Sequence, residues 1–141
     1  MLLDPVFFYR KIKLAKKKAT AKKKTIVLTA KKFALEAAKI ALERNCTDVV
    51  VLDLTGKSPA TDYFLIATGT SSRQTRTVAD EIKEFGKQHN FKIFGRAGYE
   101  QGKWVLLDFV DVVVHIFDQE FREYYDLELL WGDAEKLKIK D

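Results

Sequence analysis

The chain has little of what many protein chemistries require. Its 141 residues include one cysteine, two histidines, two prolines, one methionine and seven glycines. A single cysteine excludes an internal disulfide framework and fits a reducing compartment. One cysteine and two histidines cannot complete a zinc site from those residue types alone. No apolar run approaches the roughly 20 residues of a membrane span. Val6-Phe7-Phe8-Tyr9 is too short for the core of a secretion signal, and it precedes the basic residues instead of following them. Cys46, just ahead of the apolar run Val49–Leu54, reads as a small buried hydrophobe.

Charge is abundant but divided. The formal net charge of +5 suggests a nucleic-acid binder until its distribution is read. Residues 1–32 hold eleven Lys and Arg against one acid, Asp4, whereas the remainder holds 14 bases and 19 acids. A basic arm therefore precedes an acidic body. Lys16, Lys17, Lys18, Lys22, Lys23 and Lys24 repel one another and bury little, so no stable structure is expected over residues 1–30. The arm is either a solvated tail or a contact for the phosphates of an RNA-rich particle. Organellar transit peptides are basic and acid-poor too, but rich in Arg and Ser; this stretch has one Arg and no Ser. The expected location is cytoplasmic, with organellar import the alternative.

The body, residues 31–135, alternates helix and strand. Phe33, Ala34, Ala37, Ile40 and Ala41 form an apolar stripe at helical spacing over Lys31–Arg44, and Asn45 is a stop. Val49–Leu54 and Tyr63–Thr68 read as strands. Ser71 and Gln74 have the spacing of a capping box, opening a helix to about Gln88 whose Val78, Ile82, Phe85 and His89 share a face. Phe91–Phe94 is expected as a third strand, and residues 95–102 as a glycine-spaced loop. Trp104–Phe117 gives two strands joined at Phe109-Val110-Asp111, followed by a short helix to Trp131. Residues 136–141 read as a frayed, charged end. The expected fold is a single α/β domain with a mixed five-stranded sheet flanked by helices.

Catalytic readings fare poorly. Gly56-Lys57-Ser58 resembles the end of a phosphate-binding loop, but the glycine needed five positions earlier is Val51, and Pro59 blocks the following helix. Nucleotidyl transfer would use the Gly69–Ser72 turn for phosphate and Asp108 with Asp111 for metal ions. Those aspartates lie three apart, on opposite faces of one strand or separated by a turn, so they do not converge. No Gly-x-Ser-x-Gly elbow accompanies His115. Neither catalytic residues, a metal nor a cofactor is expected.

The stretch from Asp108 to Glu135 suggests a different role. It contains nine acids against one base, Arg122, interleaved with aromatic residues. Such a surface repels nucleic acid and suits a basic protein. Strand parity puts Trp104 with Leu106 and Asp108, opposite Val105, Leu107 and Phe109. Trp104 is thus either an interface anchor or ordinary core. His115 is either a hydrogen-bonded core histidine or a contact residue beside Asp111. In the last helix Tyr124, Leu127 and Trp131 share one face and Phe121, Tyr125, Glu128 and Leu129 another. One face packs on the sheet, leaving the other for a partner or a second copy of the chain.

Several blocks carry a family resemblance. They are residues 61–74 (Thr-Asp-Tyr-Phe-Leu-Ile-Ala-Thr-Gly-Thr-Ser-Ser-Arg-Gln), Ala79-Asp80, residues 104–117, and residues 122–131 (Arg-Glu-Tyr-Tyr-Asp-Leu-Glu-Leu-Leu-Trp). Together they resemble the ribosomal silencing factor (Iojap-like) family over about residues 33–135. The resemblance implies a nucleotidyltransferase-like topology without catalysis. It also implies binding to the large ribosomal subunit through its protein number fourteen, steric blocking of small-subunit joining, repression of translation, and a homodimer. Carried over by position, the partner-binding residues would be Trp104, Val105, Asp108, Asp111, His115, Tyr124 and Trp131; a ribosomal RNA contact by the arm is the expectation from its charge, and nothing in the resemblance explains it. The family usually has Gly where this chain has Val110, which puts the turn there in question. The Lys-rich arm is longer than is typical.

Overall fold

Thr29 stands just before the first described helix. Its side-chain oxygen accepts from Lys32 N at 3.1 Å and caps α1 (Ala30–Glu43). The computed structural model describes residues 28–140, so the arm lysines 16–18 and 22–24 lie outside the described residues. Helix α1 buries Phe33 and a row of alanines, Ala34, Ala37, Ala38 and Ala41, which let it lie close on the sheet. Asn45 takes the left-handed conformation (φ 68°) just past the end of α1, as its position suggested.

Six strands follow: β1 (Thr47–Asp53), β2 (Tyr63–Thr68), β3 (Gly95–Ala97), β4 (Trp104–Asp108), β5 (Val112–Phe117) and β6 (Glu135–Leu137). They form one sheet in the order β3-β4-β5-β2-β1-β6. Only β2 and β5 pair in parallel; the other neighbours are antiparallel. The crossover between β2 and β5 runs through α2 (Ser72–Gln88), which lies with α1 on one face. Ser71 caps α2 by accepting from Gln74 N at 3.0 Å, and Gln74 reaches back to the N–H of Thr70, one residue earlier than a standard box.

Two expectations need correction. The sheet has six strands, not five, because the supposed frayed end supplies β6, which pairs with β1 from Val51↔Leu137 to Asp53↔Glu135. Leu137 and Ile139 pack against the helix-side core. Lysines and glutamates are compatible with a short edge strand, which hid this one. The third strand lies at Gly95–Ala97, after the Phe91–Phe94 run. Phe91 instead stacks on Phe33 with centroids 4.4 Å apart, while Phe85 and Phe109 complete the cluster around Phe33.

The turn between β4 and β5 keeps its glycine-like geometry without glycine. Val110 sits at φ 77°. Asp108 Oδ1 accepts from Val110 N at 2.8 Å, and Phe109 N donates to Val112 O at 2.8 Å. A β-branched residue in this region costs about 1–2 kcal/mol; these two bonds hold it there.

Candidate protein-docking surface

The sheet face opposite α1 and α2 carries Leu52, Phe64, Ile66, Trp104, Leu106, Val113 and Phe117. That face is covered by the chain's own C-terminal segment, α3 (Gln119–Tyr125) and α4 (Leu127–Leu130). The segment starts at the Trp104–Phe117 end, where Tyr125 packs on Trp104 at 4.5 Å. It finishes where Trp131 meets Phe64 edge-on at 6.2 Å. Arg122 fixes it to the sheet: the buried guanidinium donates from Nη1 to Thr68 Oγ1 at 2.8 Å and from Nε to Glu128 Oε1 at 3.0 Å. A buried, doubly bonded cation of this kind is costly to strip of either partner.

Burial overturns part of the proposed contact set, Trp104 lying under this cover and Val105 under the helices of the other face. Trp104, Val105, Asp108 and His115 are all buried. Trp104 Nε1 donates to His115 Nδ1 at 3.1 Å, so the imidazole carries its proton on Nε2. Burial pulls the His115 pKa down to about 3, which keeps the ring neutral. Trp104 is therefore core and His115 its hydrogen-bonded neighbour; neither is a surface anchor. Asp111 is exposed and Trp131 is partly so. Asp111 stands at the β4–β5 turn, and its carbonyl oxygen accepts from Asp62 N and Tyr63 N, both at 3.1 Å.

The outer side of α3 and α4 is a different surface. Tyr124, Leu129 and Leu130 are 80%, 76% and 73% exposed. Helical spacing predicted Tyr124 with Leu127 and Trp131; instead Asp126 adopts a left-handed conformation (φ 40°) between the helices and resets the phase. Phe121, Tyr125, Leu127 and Trp131 turn inward, and Tyr124 turns out. Glu120, Glu123, Asp126 and Asp133 of the same segment are exposed too, Asp133 within 3.6 Å of Lys57. Arg122, the sole base of the stretch, is held by Thr68 and Glu128. A groove of about 540 Å³ in this segment is lined by the acids Asp48, Glu123, Asp126 and Glu128 together with the bases Arg122 and Lys136. The adjacent Leu129-Leu130 pair amid acids was the signal for this strip; reading the segment as one unbroken helix split the pair.

The geometry that a phosphate or metal reaction would need is not assembled. The loop before β4 lies over the start of α2: Ser72 Oγ donates to Gln101 O at 3.2 Å and Arg76 Nη1 to Glu100 O at 3.2 Å. A Cβ on Gly102 would meet Ser72 Cβ at 2.8 Å, so the two backbones are close-packed where a triphosphate would sit. Asp108 is inside the sheet while Asp111 is outside it. Among the described residues no group of three His, Cys, Asp or Glu could hold a metal. Cys46 is buried, and its thiol pKa is pushed up to about 11 by burial, so it is a poor nucleophile. None of the described helices is long and apolar enough to cross a membrane.

A mixed α/β sheet, with two helices on one face and the C-terminal helices on the other, defines a single-sheet α/β domain. Sequence comparison gives the particular family. The sequence model described as "Ribosomal silencing factor during starvation" matches residues 27–141, and the chain belongs to the ribosomal silencing factor family. The chain is 41% identical over 98 residues to ribosomal silencing factor RsfS of Halalkalibacterium halodurans, covering 70% of this chain and 84% of that protein. It is 30% identical over 95 residues to the mouse protein named mitochondrial assembly of ribosomal large subunit protein 1, covering 63% of this chain and 40% of that one. A crystal structure of a Chromobacterium violaceum protein superposes with a TM-score of 0.66 at 34% identity, over 79% of this chain and 89% of that one. The family is described by the silencing of ribosomes, not by a reaction.

Proposed function

We propose that the protein represses translation by docking on the large ribosomal subunit, through its protein number fourteen, and blocking joining of the small subunit. The carrying observation is the exposed strip of Tyr124, Leu129 and Leu130 on the outer side of α3 and α4, a segment that also exposes acids. Exposed apolar side chains together with acids fit a basic ribosomal protein: the strip supplies burial, and the acids steer the encounter. Asp111 and Trp131 remain in the proposed contact set, whereas buried Trp104 and His115 support the surface from beneath. The homodimer implied by the resemblance would use the same strip in the free protein.

The test is co-sedimentation with purified large subunits, followed by a subunit-joining assay. Tyr124→Ala combined with Leu130→Ala is expected to weaken large-subunit binding at least tenfold and to restore joining, with thermal unfolding unchanged. Wild-type affinity in that variant would remove the strip from the interface. Binding that followed small subunits would refute the proposal as a whole.

A further inference from the structure

A second surface lies beside β6, whose Lys136 lines the acidic groove while Glu135 and Leu137 line this one. The start of α1 and the chain after β6 enclose a groove of about 460 Å³ lined by Lys31, Lys32, Lys39, Lys138 and Lys140. Leu35 and Leu137 also line it, and its acids are Glu36 and Glu135. Glu36 is engaged by Lys39 at 3.1 Å. Among the described residues, no carboxylate lies within ion-pair distance of Lys31, Lys32, Lys138 or Lys140. The four are exposed and come from segments about a hundred residues apart in sequence, so the fold brings them together. The basic arm, with nine Lys and Arg in residues 1–27, joins the body at Leu28, immediately before the helix that forms one wall of the groove.

We infer that this groove binds the phosphate backbone of duplex RNA. Lysines are strongly hydrated point charges suited to phosphate oxygens, and their binding is driven by release of condensed counterions. The large exposed apolar side chains, Leu42, Phe94, Tyr124, Leu129 and Leu130, do not line the groove. A membrane surface would need such anchors beside the lysines, and base recognition would need exposed aromatic rings for stacking. Sequence-independent contact with a backbone is what remains. RNA rather than DNA rests on the proposed ribosomal reading; the charge argument itself does not.

The experiment uses the full chain and a fluorescein-labelled 20-base-pair RNA duplex, with anisotropy measured over a series of KCl concentrations. Lys31→Gln/Lys32→Gln/Lys138→Gln is compared with Lys83→Gln/Lys87→Gln/Lys92→Gln, which removes the same charge from exposed positions elsewhere. The groove variant is expected to lose at least tenfold in affinity at low salt. Its slope of log affinity against log salt should be shallower by about two to three, given roughly 0.9 per phosphate contact. The control is expected to stay within about threefold of wild type. Equal losses in the two variants, or wild-type slope in the groove variant, would overturn the assignment. So would loss of binding to phosphatidylserine vesicles with RNA binding intact. Lys138→Gln alone keeps the test available if the triple variant melts early; it should lower the slope by about one. Tyr124→Ala/Leu130→Ala should bind the duplex like wild type, so failure here is separable from failure of the docking strip.

Discussion

At the scale of single residues, burial decides what a substitution reports. Trp104 lies between Phe117 and Tyr125 and donates to His115, so Trp104→Ala leaves a cavity and removes a buried hydrogen bond. It should cost about 3–5 kcal/mol of stability, read as a lower urea midpoint. Any weakening of ribosome binding in that variant is then a folding effect. Tyr124→Ala should leave the midpoint within about 0.5 kcal/mol of wild type, which makes it the informative probe of docking. His115 adds a pH dependence with a defined sign. Its folded pKa is about 3 and an unfolded histidine titrates near 6.5, so below 6.5 the unfolded chain takes up a proton that the native ring refuses. Stability attributable to this group is complete above about pH 6.5 and falls as pH drops toward 3. Between pH 7.5 and 5 the loss should be about 2 kcal/mol. Urea titrations of wild type and His115→Gln at both pH values check this: a wild-type midpoint no more sensitive to pH than the variant's would contradict the burial of a neutral ring.

At the scale of elements, Gly86 shows how packing can outweigh propensity. In an exposed helix Gly→Ala gains about 1 kcal/mol. Here the added Cβ would lie 2.5 Å from Phe91 O and 2.9 Å from a ring carbon of Phe109. Overpacking of that kind costs about 1–3 kcal/mol, so Gly86→Ala should lower the melting temperature; an increase would mean that the Phe33 cluster shifts freely. The same elements show what the sequence made legible. The alanine row of α1, the Ser71 cap, the Asn45 stop and the β4–β5 turn were all readable, because each depends on local chemistry or strict periodicity. The site was read less well. Parity placed Trp104 correctly with Leu106 and Asp108, but parity cannot say what covers a face. The cover is Phe121 and Tyr125 of α3, with Leu127 and Trp131 brought back onto the face by a left-handed Asp126 whose conformation has no strong local signal. Strand β6 escaped notice because its Glu-Lys-Leu sequence acquires meaning only from pairing with distant β1.

At the scale of the whole molecule, charge is arranged with a polarity that net charge conceals. Exposed acids accompany the outer strip of α3 and α4, while the groove lysines lie at the start of α1 and after β6, where the basic arm joins. Two truncations separate the contributions. The sequence alone would cut at residue 30, but Thr29 caps α1 and Ala30 is its first residue, so the arm is cleanly removed only by deleting residues 1–27. A chain beginning at Leu28 should melt like the full chain and keep most of its affinity for large subunits, with a shallower salt dependence from the loss of nine arm charges. Deleting residues 1–30 should cost about 1 kcal/mol more through the lost cap, seen as a melting temperature lower by a few degrees. Subunit co-sedimentation across a salt series distinguishes the outcomes. If the Leu28 chain loses large-subunit binding altogether, the arm leads the interaction and the acidic strip does not. If it binds with only a gentler slope, the strip holds the protein in place and the basic side adds electrostatic reach.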